Sequence, residues 1–93
     1  MLQVNEYFNG TVKSIALENA EGNATIGVME IGEYEFGTAT IEHMTVTSGT
    51  LLVQLPGETE WKTFNKGETF IVEKDVKFKV KAEMQVAYHC LYV

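Results

Sequence analysis

Residues that start or tolerate tight turns interrupt this chain roughly every 8–12 positions, and that spacing leaves room for strands but not for helices. The interruptions are Glu21-Gly22-Asn23, Ile31-Gly32, Ser48-Gly49, Pro56-Gly57, Lys66-Gly67 and Lys74-Asp75. Each carries a residue type that accepts a positive φ or begins a turn. Between them lie runs rich in Val, Ile, Phe, Tyr and Thr, which suit a pleated, half-buried surface. The pattern predicts an all-β domain, a sandwich or small barrel, with strands at 11–18, 23–31, 33–38, 42–47, 50–55, 60–65, 69–73, 76–81 and 84–93. The one helical turn it allows is near 3–8.

Alternation shows which faces are wet. In Val76-Lys-Phe-Lys-Val-Lys81, Val76, Phe78 and Val80 share one face and Lys77, Lys79 and Lys81 the other. A lysine row of this kind solvates a strand and discourages edge pairing, or it forms an anion-binding stripe. The ending Tyr88-His-Cys-Leu-Tyr-Val93 is a β-pattern without a polar tail. It is expected to pack in a sheet or a dimer interface. A chain of 93 residues makes one domain, 1–93, with a thin core that dimerisation would support. No apolar run reaches the roughly 18 residues that span a bilayer, and the start has neither a basic nor an apolar leader-like stretch. With one cysteine, Cys90, a cytoplasmic protein without membrane contact is the expectation.

Charge narrows the partners. The net charge is −6 and the chain contains no Arg. A nucleic-acid polymer is excluded as the expected partner, because backbone binding needs a cationic surface. Any phosphate must be held by Lys, His, hydroxyls or backbone N–H groups rather than by a guanidinium fork.

Glu42, with Gly49 seven positions on, resembles the tail of the first cupin motif. Gly67, followed by Phe70, Val72 and Phe78, stands where the second motif lies. The resemblance implies a small cupin-like β-barrel of jelly-roll type. In metal-binding cupins, histidines would fall at Phe36 and Thr38, or at Glu35 and Gly37, and again at Phe78. None of these is histidine. One carboxylate remains where a catalytic metal takes several protein ligands. His43 adjoins Glu42 on the strand and leaves on the opposite face. His89 is the other histidine. No metal and no cofactor are expected.

A closer resemblance covers almost the whole chain. It is carried by Met1-Leu-Gln-Val-Asn-Glu-Tyr-Phe-Asn-Gly-Thr-Val-Lys-Ser-Ile15, Gly27-Val-Met29, Gly32-Glu-Tyr-Glu-Phe36, Thr38-Ala39 and Glu42-His-Met-Thr-Val-Thr-Ser-Gly49. Leu51, Leu55-Pro56, Trp61, Gly67, Tyr88, Cys90 and Tyr92 add to it. These segments resemble the small bacterial pyrimidine/purine nucleoside phosphorylases. The resemblance implies a cupin-like homodimer that converts nucleosides and inorganic phosphate to free base and pentose 1-phosphate, over a broad range of bases and without a metal. Leu91 departs from the pattern, which carries a basic residue there.

Phosphorolysis of an N-glycosidic bond develops positive charge on the pentose. It needs a placed phosphate, help for the departing base and shelter from water. Glu42, inward beside Met44 and Val46, is the candidate catalytic group, donating a proton to the base or hydrogen-bonding the ribose hydroxyls. Phe36 and Phe78, in the lost ligand positions, either stack a base without reading its identity or serve only as core. Thr38, Tyr34 and Tyr88 supply hydroxyls to the substrate if they share its pocket. Lys13, with Ser14 beside it, is the candidate phosphate holder; a solvated lysine is the plain alternative. His43, His89, Trp61 and Cys90 read as surface, interface or core residues. Two other activities fit the composition: a noncatalytic small-ligand-binding cupin, and a metal-dependent cupin enzyme, against which the missing histidines count.

Overall fold

The computed structural model describes residues 1–93 as ten strands and no helix. The strands are β1 (Val4–Tyr7), β2 (Val12–Asn19), β3 (Gly22–Met29), β4 (Gly32–Gly37), β5 (Glu42–Ser48), β6 (Thr50–Gln54), β7 (Lys62–Asn65), β8 (Thr69–Val72), β9 (Lys77–Ala82) and β10 (Val86–Tyr92). They form two antiparallel sheets, one ordered β1-β2-β3-β10-β5-β8 and the other β4-β9-β6-β7. From β3 onward the chain switches sheets in jelly-roll order, and β1 and β2 extend the larger sheet beyond β3. This is the all-β, cupin-like architecture the turn spacing and the motifs imply. The two sheets stay separate rather than closing into one hydrogen-bonded ring.

Period-two alternation builds the core. Val12, Met29, Met44, Val46, Phe70, Val72 and Val86 point inward from the larger sheet, and Leu51, Val53, Phe78, Val80 and Ala82 meet them from the smaller one. On β9, Phe78 and Val80 are buried while Lys77 and Lys81 are exposed. Across the β4–β9 pair, Lys79 faces Glu35 and Lys81 faces Glu33. The lysine row is therefore a solvated face balanced by carboxylates.

The segment read as a helical turn is a strand. Val4–Tyr7 pairs with β2 in the register Val4↔Ile15 to Tyr7↔Val12. A helix cannot continue past it, because Phe8, Asn9 and Gly10 have φ of 53°, 59° and 83°. Packing holds Phe8 in that conformation: its ring lies 5.1 Å from Tyr34 and 5.5 Å from Phe36 between centroids. Gly49, at φ 89°, makes the tight β5–β6 turn, where the Gln85 carbonyl approaches too closely for an easy side chain.

Thr38 ties the end of β4 to the turn before β9. Its hydroxyl donates to the Glu73 carbonyl at 2.7 Å and accepts from the Val76 N–H at 3.1 Å. A Thr38→Val variant keeps the shape and leaves those part-buried backbone groups without their partner. Urea unfolding should show it less stable by about 1–3 kcal/mol; an unchanged midpoint would contradict the role given to this hydroxyl.

Candidate functional site

One cavity of about 110 Å³ opens between the sheets at the end where β4, β5 and β10 meet β1 and β2. The smaller sheet lines it with Phe36, Gly37 and Phe78. Phe36 and Phe78 are cross-strand partners with ring centroids 5.9 Å apart, a continuous aromatic surface. From the larger sheet, β5 contributes Glu42 and Met44, and β10 contributes Tyr88, Cys90 and Tyr92, which share one face at two-residue spacing. Ser14 of β2 and Tyr7 of β1 complete the wall.

Five residues singled out from the sequence thus converge: Ser14, Phe36, Glu42, Phe78 and Tyr88. Three of the cupin motif positions, Phe36, Glu42 and Phe78, face this one cavity, two of them with aromatic rings in place of histidines. No three His, Cys, Asp or Glu side chains come together anywhere in the chain. Three other expected residues lie elsewhere, each for a local reason. Lys13 leaves β2 on the face opposite Ser14 and pairs with Glu6 at 3.5 Å in solvent. Tyr34 is buried behind Phe36, and its hydroxyl donates to the Glu30 carbonyl at 2.8 Å. Thr38 spends its hydroxyl on the backbone of Glu73 and Val76. Tyr7, Cys90 and Tyr92 join the site unannounced, and Met44 joins it from the inward face already given to Glu42. Strand parity with Glu42 and Tyr88 points to Met44, Cys90 and Tyr92, whereas Tyr7 is hidden once its segment is read as helical.

The wall carries three polar contacts. Asn5 donates to Ser14 Oγ at 3.4 Å. Tyr88 lies across Gly27, its partner in the β3–β10 pair and the partner of Ser14 in the β2–β3 pair; a methyl group at Gly27 would overlap the phenol ring and its hydroxyl. Thr25 Oγ1 and Tyr92 OH lie 3.1 Å apart, and the Cys90 thiol donates to Glu42 Oε1 at 3.4 Å.

Burial sets the charges. Desolvation raises the Glu42 carboxyl above its ordinary 4.5, and the Cys90 thiol works against that rise by hydrogen-bonding the carboxylate. Burial, reinforced by Cys90, pushes Tyr88 up to about 12. Burial also raises Tyr92, and raises Cys90 together with the neighbouring Glu42 charge. The thiol and these phenols are therefore neutral donors near pH 7, and Glu42 is the cavity's one carboxyl group. No Lys or His lines it. Leu91, where the resemblance implies a cation, sits between the inward Cys90 and Tyr92 and points to the opposite face.

A folded-state value above the unfolded one means that ionising Glu42 costs stability. The penalty is absent below pH 4.5 and grows as pH rises through the folded value. Thermal melts should show Glu42→Gln more stable than wild type at pH 8, with the gap closing toward pH 4. A variant less stable at pH 8 would contradict this.

A family model described as pyrimidine/purine nucleoside phosphorylase matches residues 2–92. A Shewanella halifaxensis protein named pyrimidine/purine nucleoside phosphorylase is 61% identical over 92 residues, which are 99% of each chain. The crystal structure of a Vibrio parahaemolyticus protein of unknown function superposes with a TM-score of 0.96 at 40% identity, covering 100% of this chain and 99% of that one. A Schizosaccharomyces pombe cupin domain shares the fold at a TM-score of 0.69 and 17% identity, covering 98% of this chain and 69% of that one. With the family model spanning residues 2–92 and a relative 61% identical over nearly the full length, this chain belongs to the pyrimidine/purine nucleoside phosphorylase family.

Proposed function

We propose that this protein is a metal-independent nucleoside phosphorylase of broad base specificity. It converts a purine or pyrimidine nucleoside and inorganic phosphate to the free base and a pentose 1-phosphate. The observation that carries this reading is a single half-buried carboxylate, Glu42, sharing a cavity with the Phe36–Phe78 surface and with neutral hydroxyls.

Each part has a task. The base lies on Phe36 and Phe78, whose faces favour stacking and do not read base edges, so purines and pyrimidines are both accepted. Glu42 accepts hydrogen bonds from the ribose hydroxyls, and its negative charge offsets the cation that develops as the C1′–N bond breaks. The bonding pair leaves with the base, which takes up a proton from the phosphate or from solvent. A phosphate oxygen forms the new bond to C1′. The phosphate approaches from the side opposite Glu42, so that the pentosyl cation lies between two anions. Hydroxyls of Ser14, Tyr7 and Tyr88 and backbone N–H groups are its donors, in keeping with a cavity that has no cation.

The cavity holds the volume of only about four waters at ~30 Å³ each, well under the ~300 Å³ of a small-molecule site. Substrate therefore enters with an outward movement of Tyr7, which is half exposed on the edge strand β1. The outer face of the larger sheet bears exposed Val4, Ile15, Ile26 and Val28, with Ile15 directly opposite both Val4 and Ile26. A second copy covers this face in the proposed homodimer.

Two measurements test the reading. Chelator-treated protein should release base from uridine, guanosine and adenosine at comparable rates, and only with phosphate present. Glu42→Gln should lower kcat/KM by ~10²–10³; activity that survives in Glu42→Gln, or is absent from wild type, sinks the assignment. Light scattering should find a dimer that Ile26→Glu converts to monomer, and a wild-type monomer would remove the dimer from the account.

A further inference from the structure

We propose that Cys90 is a positioning residue: its thiol donates to Glu42 Oε1, fixes the carboxylate plane and leaves Oε2 free for the substrate ribose. The part concerning the ribose rests on the phosphorylase reading; the part concerning the carboxylate does not.

Three observations carry it. The first is the geometry of the β5–β10 pair, where Tyr92 lies opposite Glu42 and Cys90 opposite Met44. Cys90 is thus the diagonal neighbour of Glu42 on the inner face, within reach of its carboxyl group. The 3.4 Å separation between Sγ and Oε1 is a hydrogen-bond distance for sulfur.

The second is that Glu42 has no other anchor. It opens β5 and pairs across the sheet with apolar Val72 on one side. Tyr7 and Ser14 face the cavity from β1 and β2, and Tyr88, Cys90 and Tyr92 face it from β10. β4 and β9 bring only Phe36, Gly37 and Phe78. Among all these groups the thiol alone hydrogen-bonds the Glu42 carboxylate. Without it the side chain is free to rotate toward the cavity mouth.

The third is the support behind the thiol. Cys90 is buried, its inner-face neighbour Tyr92 lines the same cavity, and Thr25 on β3 stands 3.1 Å from the Tyr92 hydroxyl. Burial thus holds the thiol beside the carboxylate, as a partner that never touches substrate orients a group that does. Burial and the Glu42 charge both keep the thiol protonated, so it acts as a donor and not as a nucleophile.

The sign of the effect is fixed by what donation does. An S–H bond to the carboxylate favours its charged form, so removing the thiol raises the Glu42 pKa, and an O–H in its place holds or lowers it. The experiment is a ¹³C NMR titration of the Glu42 carboxyl carbon in wild type, Cys90→Ala and Cys90→Ser, assigned against Glu42→Gln. It is paired with pH profiles of kcat/KM for uridine.

The proposal expects the Cys90→Ala titration to move to higher pH and Cys90→Ser to return to the wild-type position or below. The acid limb of kcat/KM should follow in the same order, with activity down by about 10-fold in Cys90→Ala and largely regained in Cys90→Ser. Identical Glu42 titrations in all three proteins would overturn the proposal even if the enzyme turns over, because a thiol that merely fills space moves neither the titration nor the acid limb. Shifted titrations in a wild type that releases no base would uphold the Cys90–Glu42 pair and remove the phosphorylase reading instead.

Discussion

β10 runs between β3 and β5 at the centre of the larger sheet, and its pairing with both decides where the inner surface of the site stands. The β3 register puts Gly27 under the Tyr88 ring, where a side chain would overlap the phenol. The β5 register puts Tyr92 beside Glu42 and Cys90 within reach of its carboxyl. A slip of one residue in either pairing would turn Tyr88, Cys90 and Tyr92 to the outer face and bring Ala87, His89 and Leu91 inward. Val86 on β10 opposes that slip, because it would turn outward into water, and Val46 opposes the corresponding slip of β5. Core packing and site geometry are in this way held by the same register.

The electrostatic character of the cavity follows from what the core will admit. Phenols and a thiol can be buried without charge, and Thr25 partners the Tyr92 hydroxyl as Glu42 partners the Cys90 thiol. A carboxylate can be buried only partly, with its value raised, and Glu42 is in that position. The result is a mostly neutral, aromatic-floored cavity with one anionic group, suited to meeting a cation that forms during reaction. Fixed dipoles and a fixed charge facing such a centre stabilise it without reorganisation. The cost falls on folding stability, a trade expected at functional sites.

Much of this was legible in the sequence because turns and alternation are local signals. Turns marked by Gly or Asp fall at six of the nine connections between strands, and parity from Glu42 separated the inner from the outer face of β5. The motif positions Phe36, Glu42 and Phe78 proved to be neighbours in space because a jelly roll brings β4, β5 and β9 to one end. What stayed hidden depended on single side chains meeting distant backbone. Thr38 fits a pocket hydroxyl until Glu73 and Val76 arrive to take its hydrogen bonds. Tyr34 is diverted in the same way by Glu30. Lys13 follows from parity with Ser14, since neighbours on a strand cannot both face one cavity. β1 is polar and short, so only its partner strand makes it a strand.

The central claim is that phosphate, not water, attacks the pentose in a cavity whose one fixed charge is Glu42. The most direct measurement is ³¹P NMR of the chelator-treated protein turning over guanosine in phosphate buffer, with free base quantified from the same sample. The account predicts a pentose 1-phosphate resonance that grows in step with the base, one molecule for each. Base accumulating without that resonance would make the protein a hydrolase, and the absence of both would leave a ligand-binding cupin that does not catalyse.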